Sequence, residues 1–224
     1  FTPYVCELFN TLSSLAMVAV GIIGLVRYRK KVESRFLVAF LAISMVGLGS
    51  ALFHATLKYE LQMLDELPMV YLALVMVFTL LEIQPGSRYG RRLPVALASY
   101  GALVTLVCAF ARGRFQFWFF QISFGLIEMF ALYRVYLLYR ASGSARVRRL
   151  FRLGMGAYVL AVELWFVDIA FCGFVSRTLP SIGIPNPELH AVWHVLVSFG
   201  FYLLVVLVAE VRATALRANS TAAG

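Results

Sequence analysis

The chain has three histidines, and two of them stand four apart in His190-Ala191-Val192-Trp193-His194. On a helix that spacing puts both imidazoles on one face, where they can hold one metal ion together. The third, His54, closes the stretch Gly49-Ser50-Ala51-Leu52-Phe53-His54, with Ser50 one helical turn before it and Asp65 further along the chain. Catalytic zinc usually takes three protein ligands and leaves one position open, so His54, His190 and His194 are the candidate zinc ligands. The competing reading is three separate histidines hydrogen-bonded at a membrane interface. Beside such a site Ser50 is a donor for a developing oxyanion, against the ordinary role of a membrane-helix serine as a packing residue. A nucleophilic role for Ser50 ranks lower, because the nearby bases would be metal ligands. Asp65 can take a proton from zinc-bound water and pass it to a leaving amine. It can equally cap a helix opened by Pro68, and the sequence leaves both readings standing.

These groups must be positioned by apolar helices. Of 224 residues, 62 % are hydrophobic and 14 % charged, whereas soluble domains are about 45–50 % apolar and about 25 % charged. Seven apolar runs stand out, near 8–26, 36–57, 67–82, 93–111, 115–137, 153–172 and 189–209. A segment of about 20 apolar residues crosses the hydrocarbon, and there its backbone must satisfy itself as a helix. The expected fold is therefore all-α, an integral membrane bundle of seven transmembrane helices forming one domain over 1–224. The chain opens on Phe1 rather than Met, so its N-terminal segment is expected to be incomplete. No basic segment precedes the first run and no small-residue cleavage site follows it, which argues against a signal peptide. Cys6, Cys108 and Cys172 are too few and too scattered for a disulfide framework or a cysteine metal site.

The formal charge of +9 does not mark a nucleic-acid binder, because the basic residues sit between the apolar runs. Arg27, Arg29, Lys30, Lys31 and Arg35 follow the first run. Arg88, Arg91 and Arg92 follow the third, Arg140, Arg146, Arg148, Arg149 and Arg152 the fifth, and Arg212 and Arg217 the seventh. Only Lys58, Arg112, Arg114 and Arg177 fall at the other ends. The positive-inside rule then makes the C-terminus cytosolic and the N-terminus lumenal or extracellular. With a rise of about 1.5 Å per residue, His54, Asp65, His190 and His194 all lie within roughly two turns of the lumenal boundary.

Other charges within the runs need partners, since charge in lipid is costly. Glu128 and Arg134 share the fifth run, and structural pairing is the expected role of Glu128. Glu163 and Asp168 share the sixth, with Asp168 placed to accept a histidine N–H. Glu60 and Glu66 read as solvated acids, and Gly47 and Gly49 as points where another backbone comes close. Phe53, Trp193 and Phe199 can line a lipid-filled space, although facing lipid is their ordinary role.

The run from Gly49 through Ser50, His54, Tyr59 and Asp65 to Pro68 and Met69 resembles the alkaline ceramidase family of seven-helix intramembrane hydrolases nearly throughout. Glu7-Leu8-Phe9-Asn10-Thr11, Trp165-Phe166-Val167-Asp168 and the segment 189–194 add to the likeness. The resemblance implies zinc held by His54, His190 and His194, Ser50 on the reacting carbonyl oxygen, and Asp65 as proton shuttle. It implies hydrolysis of the amide of a ceramide-type lipid to a sphingoid base and a free fatty acid, in endoplasmic reticulum or Golgi membranes. It also implies that Glu7 joins a calcium (Ca2+) site whose other ligands lie upstream of Phe1. A disulfide from that upstream segment to the lumenal end of the sixth helix is implied too, with Cys172 or Cys6 as its partner here. Two other classes remain to be weighed. One is a seven-helix zinc receptor of the progestin and adiponectin receptor type, which shares the Ser/His, Asp and HxxxH arrangement. The other is a transporter using Glu128, Glu163 and Asp168, disfavoured because no repeated broken-helix pattern appears.

Overall fold

The computed structural model describes residues 5–222. Seven helices in it are long and apolar enough to cross a membrane, as the seven runs require. They are α1 (Leu8–Tyr28), α2 (Ser34–Thr56), α3 (Tyr59–Leu81), α4 (Arg92–Phe110), α5 (Gly113–Ala141), α6 (Ala145–Ala170) and α8 (Leu189–Ala222). Between α6 and α8 lie a π-helical turn, Phe174–Thr178, and the single turn α7 (Leu179–Ser181). The protein is a multi-pass membrane bundle with no strand among the described residues.

Several helices depart from their sequence boundaries, α5 running on to Ala141 and α8 to Ala222, and two of the early starts have a local cause. Helix α3 begins at Tyr59, about two turns before the expected start, so Pro68 lies inside it and Asp65 is not a cap. Proline lacks an N–H, so Leu64 cannot receive its i+4 bond from Pro68. The Leu64 carbonyl is pressed against α2 at Gly49, where an added Cβ would stand 1.8 Å from the Leu64 oxygen. Helix α6 begins at Ala145, with Ser144 capping it by accepting the Val147 amide. Arg146, Arg148, Arg149 and Arg152 therefore belong to helix rather than to a connection.

Helix α2 is the wedge of the bundle. Gly47 and Gly49 are two residues apart, about 200° around the axis, and face different neighbours. A Cβ at Gly47 would meet Met17, the Val18 amide and the Ser14 carbonyl of α1 at 2.7–2.8 Å, while Gly49 meets α3. These contacts seat Ser50 and His54 between α1, α3 and α8. Gly49→Ala is expected to destabilise the protein by about 3 kcal/mol or more, since overpacking against backbone cannot be relieved by a rotamer change. Thermal unfolding in detergent checks this, with Gly125→Ala, which opens on empty space, as the comparison.

At the opposite end of the bundle the connections are clasped. Arg212 donates from Nε and Nη2 to Glu33 at 2.9 and 3.1 Å, and from Nη1 to the Ile83 carbonyl at 3.1 Å. Arg35 donates to the Glu82 carbonyl at 3.0 Å. The Arg212 hydrogen bond holds the Glu33 carboxyl below the usual carboxylate range. The backbone amides of Arg88 and Tyr89, at 2.8 and 2.9 Å, do the same for Glu82.

Candidate metal centre

The three histidines, distant in sequence, meet at one end of the bundle. One ligand atom from each of His54, His190 and His194 lies within 4.8 Å of the others. The ring centroids are 5.1 Å apart for His54–His190 and His54–His194, and 4.8 Å for His190–His194. His54 and His194 are buried, and His194 is fully so. Phe53 packs beside His54, and Trp193 beside both His190 and His194. Phe199 is exposed on the lipid-facing surface.

The outward nitrogens show which way the rings are turned. His54 Nδ1 is 2.5 Å from Glu7 Oε2, His194 Nδ1 is 2.8 Å from Ser13 Oγ, and His190 Nδ1 is 3.8 Å from Asp168 Oδ2. The first two are hydrogen bonds. The third is beyond hydrogen-bond length and places a carboxylate beside the ring. Each imidazole therefore has its Nδ1 engaged by a different side chain, which leaves Nε2 to face the shared centre. Metal-ligating histidines are oriented in this way, with the second nitrogen donating to an oxygen. Three converging imidazoles, two of them buried, are a donor set that suits zinc.

Ser50 and Asp65 join the cluster. Ser50 is fully buried, and its Oγ lies 3.3 Å from His194 Nε2 and 3.0 Å from Ser14 Oγ. Asp65, less than two turns inside α3, lies beside Ser50 and His54. The capping role left open for Asp65 is thus excluded by the position of the helix start. Glu7 ends the chain's approach to α1: its amide donates to the His54 carbonyl at 3.0 Å, and Asn10 Nδ2 donates to its carboxylate at 3.0 Å. These contacts outweigh its partial burial and hold its carboxyl below the usual range, the His54 bond contributing most.

Several participants were not visible as such in the sequence. Ser13 and Ser14 donate to the Asn10 carbonyl at 3.1 and 2.7 Å and both reach toward His194 Nδ1. Their signal is a polar trio at i, i+3 and i+4 in an otherwise apolar helix, a pattern that marks an interhelical contact. Glu66 is not solvated. It is buried, and Gln62 and Gln116 donate to it at 2.7 and 2.8 Å, tying α3 to α5. Glu128 is buried and lies near Tyr158 of α6, while Arg134 donates to the Leu80 carbonyl. Glu163 is exposed. Cys6, Cys108 and Cys172 are all free thiols. Glu128 also lines a small apolar cavity of about 40 Å³ between α3, α5 and α8, walled by Met76, Leu80, Phe124 and Leu204 among others.

Known proteins carry the same sequence pattern. A match to the family described as Ceramidase covers residues 1–223. Alkaline ceramidase 3 of Mus musculus is 32 % identical over 223 residues, spanning 96 % of this chain and 81 % of the relative. The alkaline ceramidase of Arabidopsis thaliana is 29 % identical over 203 residues, 90 % of this chain and 76 % of the relative. Alkaline ceramidase YPC1 of Saccharomyces cerevisiae is 29 % identical over 237 residues, 97 % and 75 % respectively. These matches do not favour the receptor reading.

Proposed function

Since the chain belongs to the ceramidase family, we propose that it is a zinc-dependent hydrolase that cleaves the amide bond of a ceramide-type lipid into a sphingoid base and a free fatty acid. The observation that carries the reading is the convergence of His54, His190 and His194 within 4.8 Å, with Ser50 and Asp65 on the same centre. Zinc, when bound by these three imidazoles, would polarise the amide carbonyl and lower the pKa of a water toward about 7.

The chain's own groups do the rest. The Ser50 hydroxyl stands beside His194 Nε2 and donates to the carbonyl oxygen as negative charge develops on it. Asp65 takes the proton released by the attacking water and hands it to the departing nitrogen, so that an amine rather than an amide anion leaves. Ser50 and Asp65 lie side by side, which keeps both groups on one side of the centre before substrate arrives. Glu7, Ser13 and Asp168 orient the three imidazoles from outside. The calcium role of Glu7 belongs to the same proposal. The arginine-rich end faces the cytosol and the histidine end faces away from it, following the positive-inside rule; the family resemblance makes the far side the lumen of the endoplasmic reticulum or Golgi.

The test is incubation of the purified protein with a panel of ceramides and mass-spectrometric measurement of both products. Equimolar sphingoid base and fatty acid is the expected result; no amide cleavage on any member of the panel would overturn the assignment. Ser13 supplies a second, narrower test. Ser13→Ala removes the acceptor at 2.8 Å from His194 Nδ1. It is expected to weaken zinc binding about 10- to 100-fold, read as release of metal to a competing chelator. Ser13→Thr, which keeps the hydroxyl, is expected to restore most of it.

A further inference from the structure

The end of the bundle opposite the histidines carries a concentration of charge that neither folding nor the reaction uses. Helices α5 and α6 have 29 and 26 residues, more than the about 20 that cross the hydrocarbon. Only Ala111 and Arg112 separate α4 from α5 at the histidine end, so the surplus of α5 emerges at the other end, as does the start of α6. The hairpin there, joined by Ser142, Gly143 and Ser144, bears Arg140, Arg146, Arg148, Arg149 and Arg152, and all five are exposed. From Met129 to Val162 the chain has no acidic residue.

Two of the five are already engaged. Arg146 Nε pairs with Glu210 Oε2 at 3.4 Å, and Arg140 donates to the Tyr136 hydroxyl at 2.9 Å. The side chains of Arg148, Arg149 and Arg152 make no ion pair or hydrogen bond among the described residues. At about 100° per residue they fall within an arc of about 100°, roughly opposite the face on which α6 buries Val147, Gly154 and Ala161. The hairpin is also held in shape. Tyr139 of α5 stacks on Phe151 of α6 with ring centroids 4.1 Å apart and planes 11° from parallel. Three guanidinium groups thus share one outward arc, at the depth where phospholipid headgroups lie.

We propose that this arc is a binding site for anionic phospholipids of that leaflet, selective for headgroups that end in a phosphomonoester. Guanidinium groups bind phosphate oxygens in bidentate pairs, and a terminal phosphomonoester carries more charge and more free oxygens than a diester. A positive-inside bias alone needs only basic residues near the ends of spans. It does not call for three unpaired arginines on a single arc.

The probes are phosphatidylcholine nanodiscs holding a minor share of either phosphatidate or phosphatidylserine, with the lipids retained by the released protein counted by native mass spectrometry. Wild-type protein is expected to retain phosphatidate in preference to phosphatidylserine. The triple variant Arg148→Gln, Arg149→Gln, Arg152→Gln is expected to lose affinity for phosphatidate on the order of 100-fold. The triple lysine variant, which keeps charge but not the bidentate fork, is expected to fall between the two. Inorganic phosphate added in excess is expected to displace nothing. Equal retention of the two anionic lipids, an unchanged triple glutamine variant, or displacement by inorganic phosphate would each overturn the proposal. Thermal unfolding of all variants shows that a loss is not a folding defect. The readout does not involve hydrolysis, so it stands or falls independently of the proposed reaction.

Discussion

Purified His194→Ala protein is expected to contain almost no zinc and to release no fatty acid from ceramide above background. His194 is fully buried, with Nδ1 engaged by Ser13 at 2.8 Å and Nε2 turned to the other two rings. Losing it leaves two ligands where a catalytic zinc site uses three. The loss in affinity should exceed the about 10- to 100-fold that removal of an outer hydrogen-bond partner causes. Because alanine also opens a cavity in a packed interior, the isovolumetric His194→Gln belongs beside it. Both variants should lose metal and hydrolysis together, while His194→Gln keeps thermal stability near that of the parent. Metal analysis and product release on the same preparations decide the matter. A variant that unfolds at the parental temperature and still hydrolyses ceramide without zinc would remove the metal from the mechanism.

Asp65→Asn is expected to separate chemistry from metal binding. Asparagine keeps the size of the side chain, but it cannot carry a proton between water and the leaving nitrogen. Proton transfer by a positioned group contributes about 10²–10⁴ in rate, so kcat should fall by that factor. Zinc content should stay at the parental value, and KM should move little, because Asp65 is not among the converging imidazoles. If kcat were preserved, the Ser50–Asp65 contact would be a structural tie between α2 and α3. If zinc were lost as well, the fault would lie in the geometry of the site rather than in proton transfer. The two variants together therefore test different parts of the same centre.

The sequence alone determined depth. Hydropathy marked all seven spans, and the basic residues sorted their ends into two groups, which put His54, Asp65, His190 and His194 at one level of the bundle. The spacing of His190 and His194 on one helix turn, and the small residues Gly47 and Gly49, carried further information because backbone geometry makes it local. Rotation about each helix axis was not local. Which face of α1 points inward depends on how α2 and α8 pack against it, so Ser13 emerged as a partner of His194 only in the tertiary structure. The same holds for Glu66, read as solvated from its neighbours but buried against Gln116 from a helix far along the chain. The start of α3 was misplaced because proline is commonest in a helix's first turn, whereas here Gly49 lets α2 approach the carbonyl that Pro68 leaves without its usual donor. Residue types and charge set where a side chain lies along the membrane normal; packing, which sums contacts between segments far apart in the chain, decides which neighbours it meets there.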